Sequence, residues 1–276
     1  QLEDLKDHQR VIMLDTQFRM HPILGDFVSQ QFYESIGMDK VKSGRPGEDF
    51  HFKPEFISAL GDAGDYYDDK VCQWIDVPLA DGKTRERGTS KIREVEAERI
   101  ASEIHRLFQA AGNSLSVGVI TFYAAQRDLI MEKLTNTEVN GIPLMCWRDG
   151  QIVPSEEFAT TSSGEEGLRV GSVDAFQGKE FDVVLLSCVR TWYEPSNKSM
   201  GSKTGKKSNE EHEDILNKMF GFLRLPNRMN VAMSRQRQML ICVGDKKLAT
   251  NKYADEGISS LNAFHQLCGG EHGCIR

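Results

Sequence analysis

The chain of 276 residues predicts an α/β fold in which helices cover both faces of a mainly parallel central sheet. Three observations carry that reading. Short runs of β-branched and large apolar residues alternate with segments of helical period, the pattern of a parallel sheet whose crossovers are helices. Polar and charged clusters stand at the ends of the apolar runs, where open α/β sheets hold ligands. No internal repeat and no linker-like stretch divides the sequence, so residues 1–276 read as one domain.

Taken in order, residues 10–15 (RVIMLD) read as a short strand, and Pro22 opens a helix at a first position that needs no N–H. Leu24, Phe27, Val28 and Phe32 share one face of that helix, which runs toward Gly37. Glycine, proline and acidic residues make 39–70 an irregular excursion before a strand over 71–77 (VCQWIDV). Ala97, Ile100, Ala101, Ile104, Leu107, Phe108 and Ala111 recur at helical spacing and Gly112 closes the helix. Residues 117–121 (VGVIT) read as a buried strand, and 124–134 as the next helix. After a second irregular stretch, strands are expected over 168–173 and 182–189. The Lys-, Ser-, Gly- and Glu-rich segment 192–213 lacks periodicity and reads as a flexible surface insertion. A helix over 227–235, a strand over 239–243 and a short helix near 259–267 complete the chain.

Composition narrows the class of function. A net charge of -7 argues against a protein that coats nucleic acid through a broad basic surface. No apolar run approaches the roughly 18 residues of a membrane span, and the start QLEDLKDHQR lacks a signal peptide's basic and apolar regions. Six scattered cysteines suit a reducing interior, so an intracellular setting, cytoplasmic or nuclear, is expected. His265, Cys268, His272 and Cys274 match no standard zinc spacing, and no metal site is assigned to them. The first residue, Gln1, is not Met, which suggests a piece of a longer protein.

Four segments carry the chemistry: residues 17–22 (QFRMHP), 121–127 (TFYAAQR), 172–180 (SVDAFQGKE) and 226–237 (PNRMNVAMSRQR). An arginine's guanidinium forks onto phosphate oxygens and stays charged, which suits it to sense a terminal phosphate. Arg235 in the last segment and Arg19 in the first are the candidates, while Arg237 reads equally as an ion-paired surface arginine. Gly178 allows positive φ or a close backbone approach, and Glu180 supplies a carboxylate. In the second segment Thr121 stands where a strand gives way to a helix whose N–H groups can hold a phosphate. Tyr123 offers a ring to a base and Arg127 a positive charge, the alternatives being a packing residue and a solvated face. His21 reads as a cap of the turn rather than as a chemical group.

As a set, in this order, these segments resemble the C-terminal motifs of superfamily 1 helicases, most closely the Upf-like branch, over about residues 10 to 245. The resemblance implies a RecA-like three-layer domain, the second motor domain of an ATP-dependent helicase. It implies that Arg235 is the arginine finger, worth about 10³ to 10⁵ in rate, with Arg19 a second phosphate contact. Phe18 then packs near the adenine, Gln177, Gly178 and Glu180 join the nucleotide site, and Thr121, Tyr123, Arg127, Ser172 and Asp174 face single-stranded DNA or RNA. A complete ATPase also needs a P-loop and carboxylates for magnesium, and neither pattern occurs in the sequence. ATP and Mg2+ are therefore expected to be held mainly by an N-terminal RecA-like domain, and residues 1–276 alone to be inactive. The rival reading is a non-catalytic scaffold derived from such a domain.

Overall fold

The computed structural model describes residues 14–194 and 206–276. Most of the strand expected over 10–15 lies outside the described residues. Leu14 and Asp15 carry no strand, and Thr16–Gln17 pairs in parallel with Lys42–Ser43 as a separate two-stranded ribbon.

The central sheet has six parallel strands: β1 (Cys72–Asp76), β2 (Val117–Thr121), β3 (Leu168–Ser172), β4 (Phe181–Ser187), β5 (Gln236–Gly244) and β6 (Gly273–Ile275). They lie in the spatial order β3, β2, β4, β5, β1, β6. Because successive side chains of a strand point to opposite faces, a continuous apolar run feeds two cores. In β4, Val184 and Leu186 enter one core while Val183 and Leu185 enter the other; in β5, Leu240 and Cys242 separate likewise from Met239, Ile241 and Val243. The first core is closed by α1 (Pro22–Phe32), α4 (Lys206–Phe220), α5 (Pro226–Met233) and α6 (Ala254–Cys268). The second is closed by α2 (Glu94–Ala111) and α3 (Ala124–Leu134). The expected sheet with helices on both faces is what the chain forms.

Local choices agree with that packing. In α2 the expected apolar face is buried, Glu94 and Glu96 complement the positive end of the helix dipole, and Gly112 ends the helix at φ 56°. The irregular stretch after Leu134 instead holds two tight antiparallel hairpins, Glu138–Val139 with Ile142–Pro143 and Met145–Arg148 with Gln151–Pro154. Their turns, Asn140-Gly141 and Asp149-Gly150, take positive φ, the usual chemistry of two-residue hairpin loops. Of the insertion read over 192–213, residues 195–205 lie outside the described residues, and the chain is helical from Lys206 onward. Leu216, Met219 and Phe220 then anchor α4 in the first core, giving the helix a face that the polar start of the segment conceals. The helix expected over 227–235 ends at Met233, so Arg235 lies in the junction between α5 and β5.

The short crossover between β3 and β4 fixes the geometry of everything described below. These strands are parallel, so residues 173–180 must travel from the carboxyl end of β3 back to the amino end of β4. They do so across the face of β2, as a 3₁₀ turn (Val173–Phe176) followed by a tight turn at Gln177 and Gly178. Phe176 is buried over Gly118 and Gly171: a Cβ at Gly118 would stand 2.8 Å from Phe176 and 2.9 Å from Phe181, and one at Gly171 would stand 3.0 Å from Phe176. The sheet needs a bare backbone there for the crossover to lie flat. Gly118→Ala should therefore destabilise the fold by about 1–3 kcal/mol through overpacking. Urea unfolding of the variant alone and combined with Phe176→Leu is the check, with partial recovery expected in the double variant.

Candidate functional site

Register divides the expected site residues between the two ends of the sheet. Ser172, Thr121 and Ser187 form one row at the carboxyl end, whereas Phe181 pairs with Gln236 at the amino end. Six residues of extended chain separate these rows on β4, about 20 Å. Arg19, Glu180, Arg235 and Arg237 cluster at the amino end. The expectation that the polar segments follow strand ends thus holds for Thr121 and Ser172 but not for this cluster, because Glu180 and Arg235 precede their strands.

At the amino end the QFRMHP turn is clamped from within. The Gln17 Oε1 accepts from the backbone N–H groups of Arg19 (2.9 Å) and Met20 (2.8 Å), and its Nε2 donates to the Met20 carbonyl and the Ser43 hydroxyl. The turn is docked to the sheet by the His21 N–H, which donates to the Arg237 carbonyl at 2.9 Å. His21 Nδ1 accepts from the Ile23 N–H at 3.2 Å, so this residue caps α1 as expected. Arg19 then reaches Glu180 at 2.8 Å and donates to the Ser234 carbonyl at 3.1 Å. Glu180 also faces Arg237 at 3.3 Å, and Arg237 holds Glu165 at 2.8 Å and Asp182 at 3.5 Å. Burial opposes the charge of Arg237, but these three carboxylates outweigh it and raise its pKa.

Arg235 differs from its neighbours. Its guanidinium donates to the Val231 carbonyl (3.0 Å) and the Ser234 hydroxyl (3.1 Å), and it makes no ion pair among the described residues. Burial first, and the positive charge of Arg19 second, push its pKa below the ordinary arginine value. A half-buried cation facing a second cation is an arrangement that an anion relieves. Phe18, beside Arg19, is 61% exposed and so is not a core residue; its ring lies against the backbone of Gly44. Gln177 and Gly178 are exposed in the turn before Glu180, with Gly178 at φ 77° and nothing near the place of a Cβ. Positive φ, rather than close approach, is what requires glycine at this position.

At the carboxyl end the residues expected to face a strand are dispersed. Thr121 is fully buried and its hydroxyl accepts from the Tyr123 N–H at 3.4 Å. The Ala125 N–H at the start of α3 already donates to Ser90 Oγ at 3.2 Å, so the amino end of this helix is partly capped. Tyr123 is 4% exposed, with its ring against Phe222 (centroids 5.5 Å apart) and the guanidinium of Arg190 5.9 Å from its centroid. That is the packing arrangement, with no ring face open to a base. Asp174 is exposed and paired with Arg228 of α5 at 2.9 Å. Arg127, paired with Asp128 at 2.6 Å, and Ser172 line one cavity of about 570 Å³.

Beneath this end lies a polar network that the sequence did not disclose. Arg93 and Glu96, both fully buried, pair at 3.3 Å. Glu96 accepts from Ser187 Oγ (2.6 Å) and the Val189 N–H (2.8 Å), while Arg93 donates to the carbonyls of Val77, Pro78 and Gly82. Burial raises the Glu96 pKa although Arg93 draws it down. Gln126, also fully buried, joins the network to α3 by accepting from the Arg93 N–H. Arg93 and Glu96 lie among charged helix-start residues of ordinary appearance, so only the fold reveals their burial. Among the described residues no group of three or more His, Cys, Asp or Glu side chains is arranged to hold a metal ion. His265 packs edge-on against Trp74, and His272 faces Asp69 at 3.5 Å. Among the described residues no helix is long and apolar enough to cross a membrane.

The comparisons with known proteins agree in direction. The model for the AAA domain family matches residues 1–247. The chain is 30% identical over 245 residues to the Regulator of nonsense transcripts 1 homolog of Neurospora crassa, covering 86% of this chain and 17% of that protein. It is 27% identical over 246 residues to Regulator of nonsense transcripts 1 of Caenorhabditis elegans, covering 87% and 17%. It is 28% identical over 244 residues to ATP-dependent helicase NAM7 of Saccharomyces cerevisiae, covering 87% and 19%. The chain thus spans less than a fifth of the length of each of these relatives.

The cap of the Arg19 turn has a pH signature. Burial, then the charge of His51, lowers the His21 pKa from 6.5 to about 4. The folded state holds this imidazole neutral, so stability is greatest above about pH 6.5 and declines as pH falls toward 4. His21→Asn keeps a short capping side chain and removes the titration. Its urea midpoint should fall less than that of the parent between pH 7 and pH 4.5, and an unchanged difference between the two pH values would refute the assignment.

Proposed function

The chain belongs to the AAA domain family, as the C-terminal helicase domain of Upf1-like superfamily 1 helicases, and on that premise we propose that it supplies one wall of an ATP site and part of a single-strand path. The observation that carries the nucleotide half is Arg235: a half-buried guanidinium without a carboxylate partner among the described residues, beside Arg19 and the exposed ring of Phe18. In this reading ATP lies between the amino end of the sheet and an N-terminal P-loop domain that holds most of it together with Mg2+. The chemistry such a metal would supply is neutralisation of charge on the phosphate oxygens.

The residues of this chain have separable parts. Arg235 forks onto the transferring phosphoryl group and stabilises the charge that spreads there. Its contacts to the Val231 carbonyl and Ser234 hydroxyl hold it in place beforehand, which lowers the reorganisation cost. Arg19, exchanging one contact with Glu180 for a phosphate oxygen, adds a second positive charge. Glu180, still facing Arg237, turns toward a ribose hydroxyl, with Gln177 and Gly178 forming its turn. Phe18 offers its ring to the adenine. Ser172 and Arg127 meet the strand at the carboxyl end, Asp174 orders the crossover through Arg228, and Thr121 and Tyr123 support that surface from below. Closure of the two domains on ATP, and release after hydrolysis, then alternates the grip on DNA or RNA. The free thiols of all six cysteines suit the intracellular setting proposed for such a motor.

Two outcomes test this function. Arg235→Ala in the full-length protein should lower ATP turnover by about 10³-fold or more while single-strand binding persists; near-normal turnover would refute the finger and favour a scaffold. Residues 1–276 alone should hydrolyse no ATP in a phosphate-release assay, and robust turnover by them would overturn the division of labour.

A further inference from the structure

Trp147 carries the largest exposed apolar side chain among the described residues, and the function proposed above leaves it unused. It is 66% exposed and stands on the hairpin Met145–Arg148/Gln151–Pro154, opposite Ile152. The hairpin is closed by Asp149 and Gly150 at φ 52° and 76°, so a two-residue turn fixes the register that places Trp147. Met145, at the base of the same strand, is buried in the second core, and Ile152 packs against that core. The platform is therefore anchored at its foot and bare at its tip. A large exposed aromatic held this way loses little entropy when a flat partner stacks on it.

Trp147 also lines the cavity of about 570 Å³ that holds Arg127 and Ser172, together with Arg87 and Gly171. Both arginines are paired with carboxylates on α3, Arg127 with Asp128 at 2.6 Å and Arg87 with Glu132 at 3.3 Å. All four side chains are substantially open to solvent, and ion pairs of that kind are weak and exchangeable. Phosphate is a doubly forked acceptor for either arginine. An aromatic plate, two displaceable guanidiniums and a hydroxyl around one trough are the components of a single-strand site. The neighbouring acids also set what the trough refuses, since Asp128 and Glu132 repel a phosphate unless an arginine turns to meet it.

We propose that Trp147 is a base-stacking platform that extends the single-strand path beyond Ser172, with Arg127 and Arg87 taking the backbone phosphates on either side of the stacked base. The proposal rests on the strand path described above and adds a contact on a hairpin outside the four motif segments. It also assigns the base contact to an accessible ring, in contrast to the buried ring of Tyr123.

The test is equilibrium binding of short fluorescein-labelled oligouridine and oligothymidine to the full-length protein across a series of salt concentrations, read on whichever binds tighter. Trp147→Ala should weaken binding about tenfold with the salt slope unchanged, because stacking releases no counterions. Trp147→Phe should restore most of the loss. Arg127→Ala should instead make the slope of log affinity against log salt shallower by about 0.7, one phosphate contact on a single strand. Parental affinity in Trp147→Ala overturns the proposal. If Ser172→Glu still weakens binding in that case, the platform alone fails and the strand path stands; if Ser172→Glu also binds as the parent does, both fail.

Discussion

The packing of Phe176 on bare backbone at Gly118 and Gly171 is the contact on which the rest of the molecule depends. Parallel strands of one sheet usually require a long crossover through a helix. Here residues 173–180 alone connect β3 to β4, and they can do so only because the strand beneath them presents glycine where a side chain would stand. One consequence is spatial. The crossover leaves Ser172 at the carboxyl end of the sheet and ends on Glu180 at the amino end, so its two termini belong to different surfaces. A second consequence is mechanical: Ser172 and Asp174 are joined to Glu180 by a short piece of chain anchored by the buried Phe176. In the function proposed above, this segment is the physical link between the surface assigned to the strand and the surface assigned to the nucleotide.

At the amino end the arrangement of charge is selective. Among the described residues, Arg237 has three acidic neighbours and Arg19 one, whereas Arg235 has only neutral acceptors. Arginines that are already neutralised locally bind a phosphate only by giving up a partner. The one left without a carboxylate gains most from an incoming anion, and its pKa is lowered by burial and by Arg19 in the same sense. The backbone around it is held firmly, since the Arg235 carbonyl accepts from the Phe181 N–H in the β4–β5 ladder. The side chain proposed as the finger thus grows from the sheet itself.

At the carboxyl end, the fully buried Arg93–Glu96 pair takes the place of an apolar plug. Its polar atoms are met by Ser187, Val189 and three backbone carbonyls, which is what makes buried charge tolerable. By tying α2 and α3 to β4, it supplies a rigid floor under the row of Thr121, Ser172 and Ser187.

Much of the fold was legible in the chain. Residues 117–121 form the strand read for them, because a fully buried strand is a continuous apolar run, and the helix read over 124–134 follows it with the same bounds. Gly112 and Gly178 were likewise readable, since positive φ leaves a mark on residue type. Other features were hidden for physical reasons. The helix from Lys206 begins in a polar sequence whose apolar face emerges only from Leu216 onward. The placement of Tyr123 below the surface follows from what packs over it, Phe222 and Arg190 from distant segments, and no local pattern records a distant neighbour. Sequence by itself determined the alternation of elements, the family resemblance and the residue types able to meet a phosphate. Tertiary structure alone decided which arginine lacks a carboxylate, which ring is open and which end of the sheet each group occupies, because those depend on register and crossover path between residues far apart in the chain.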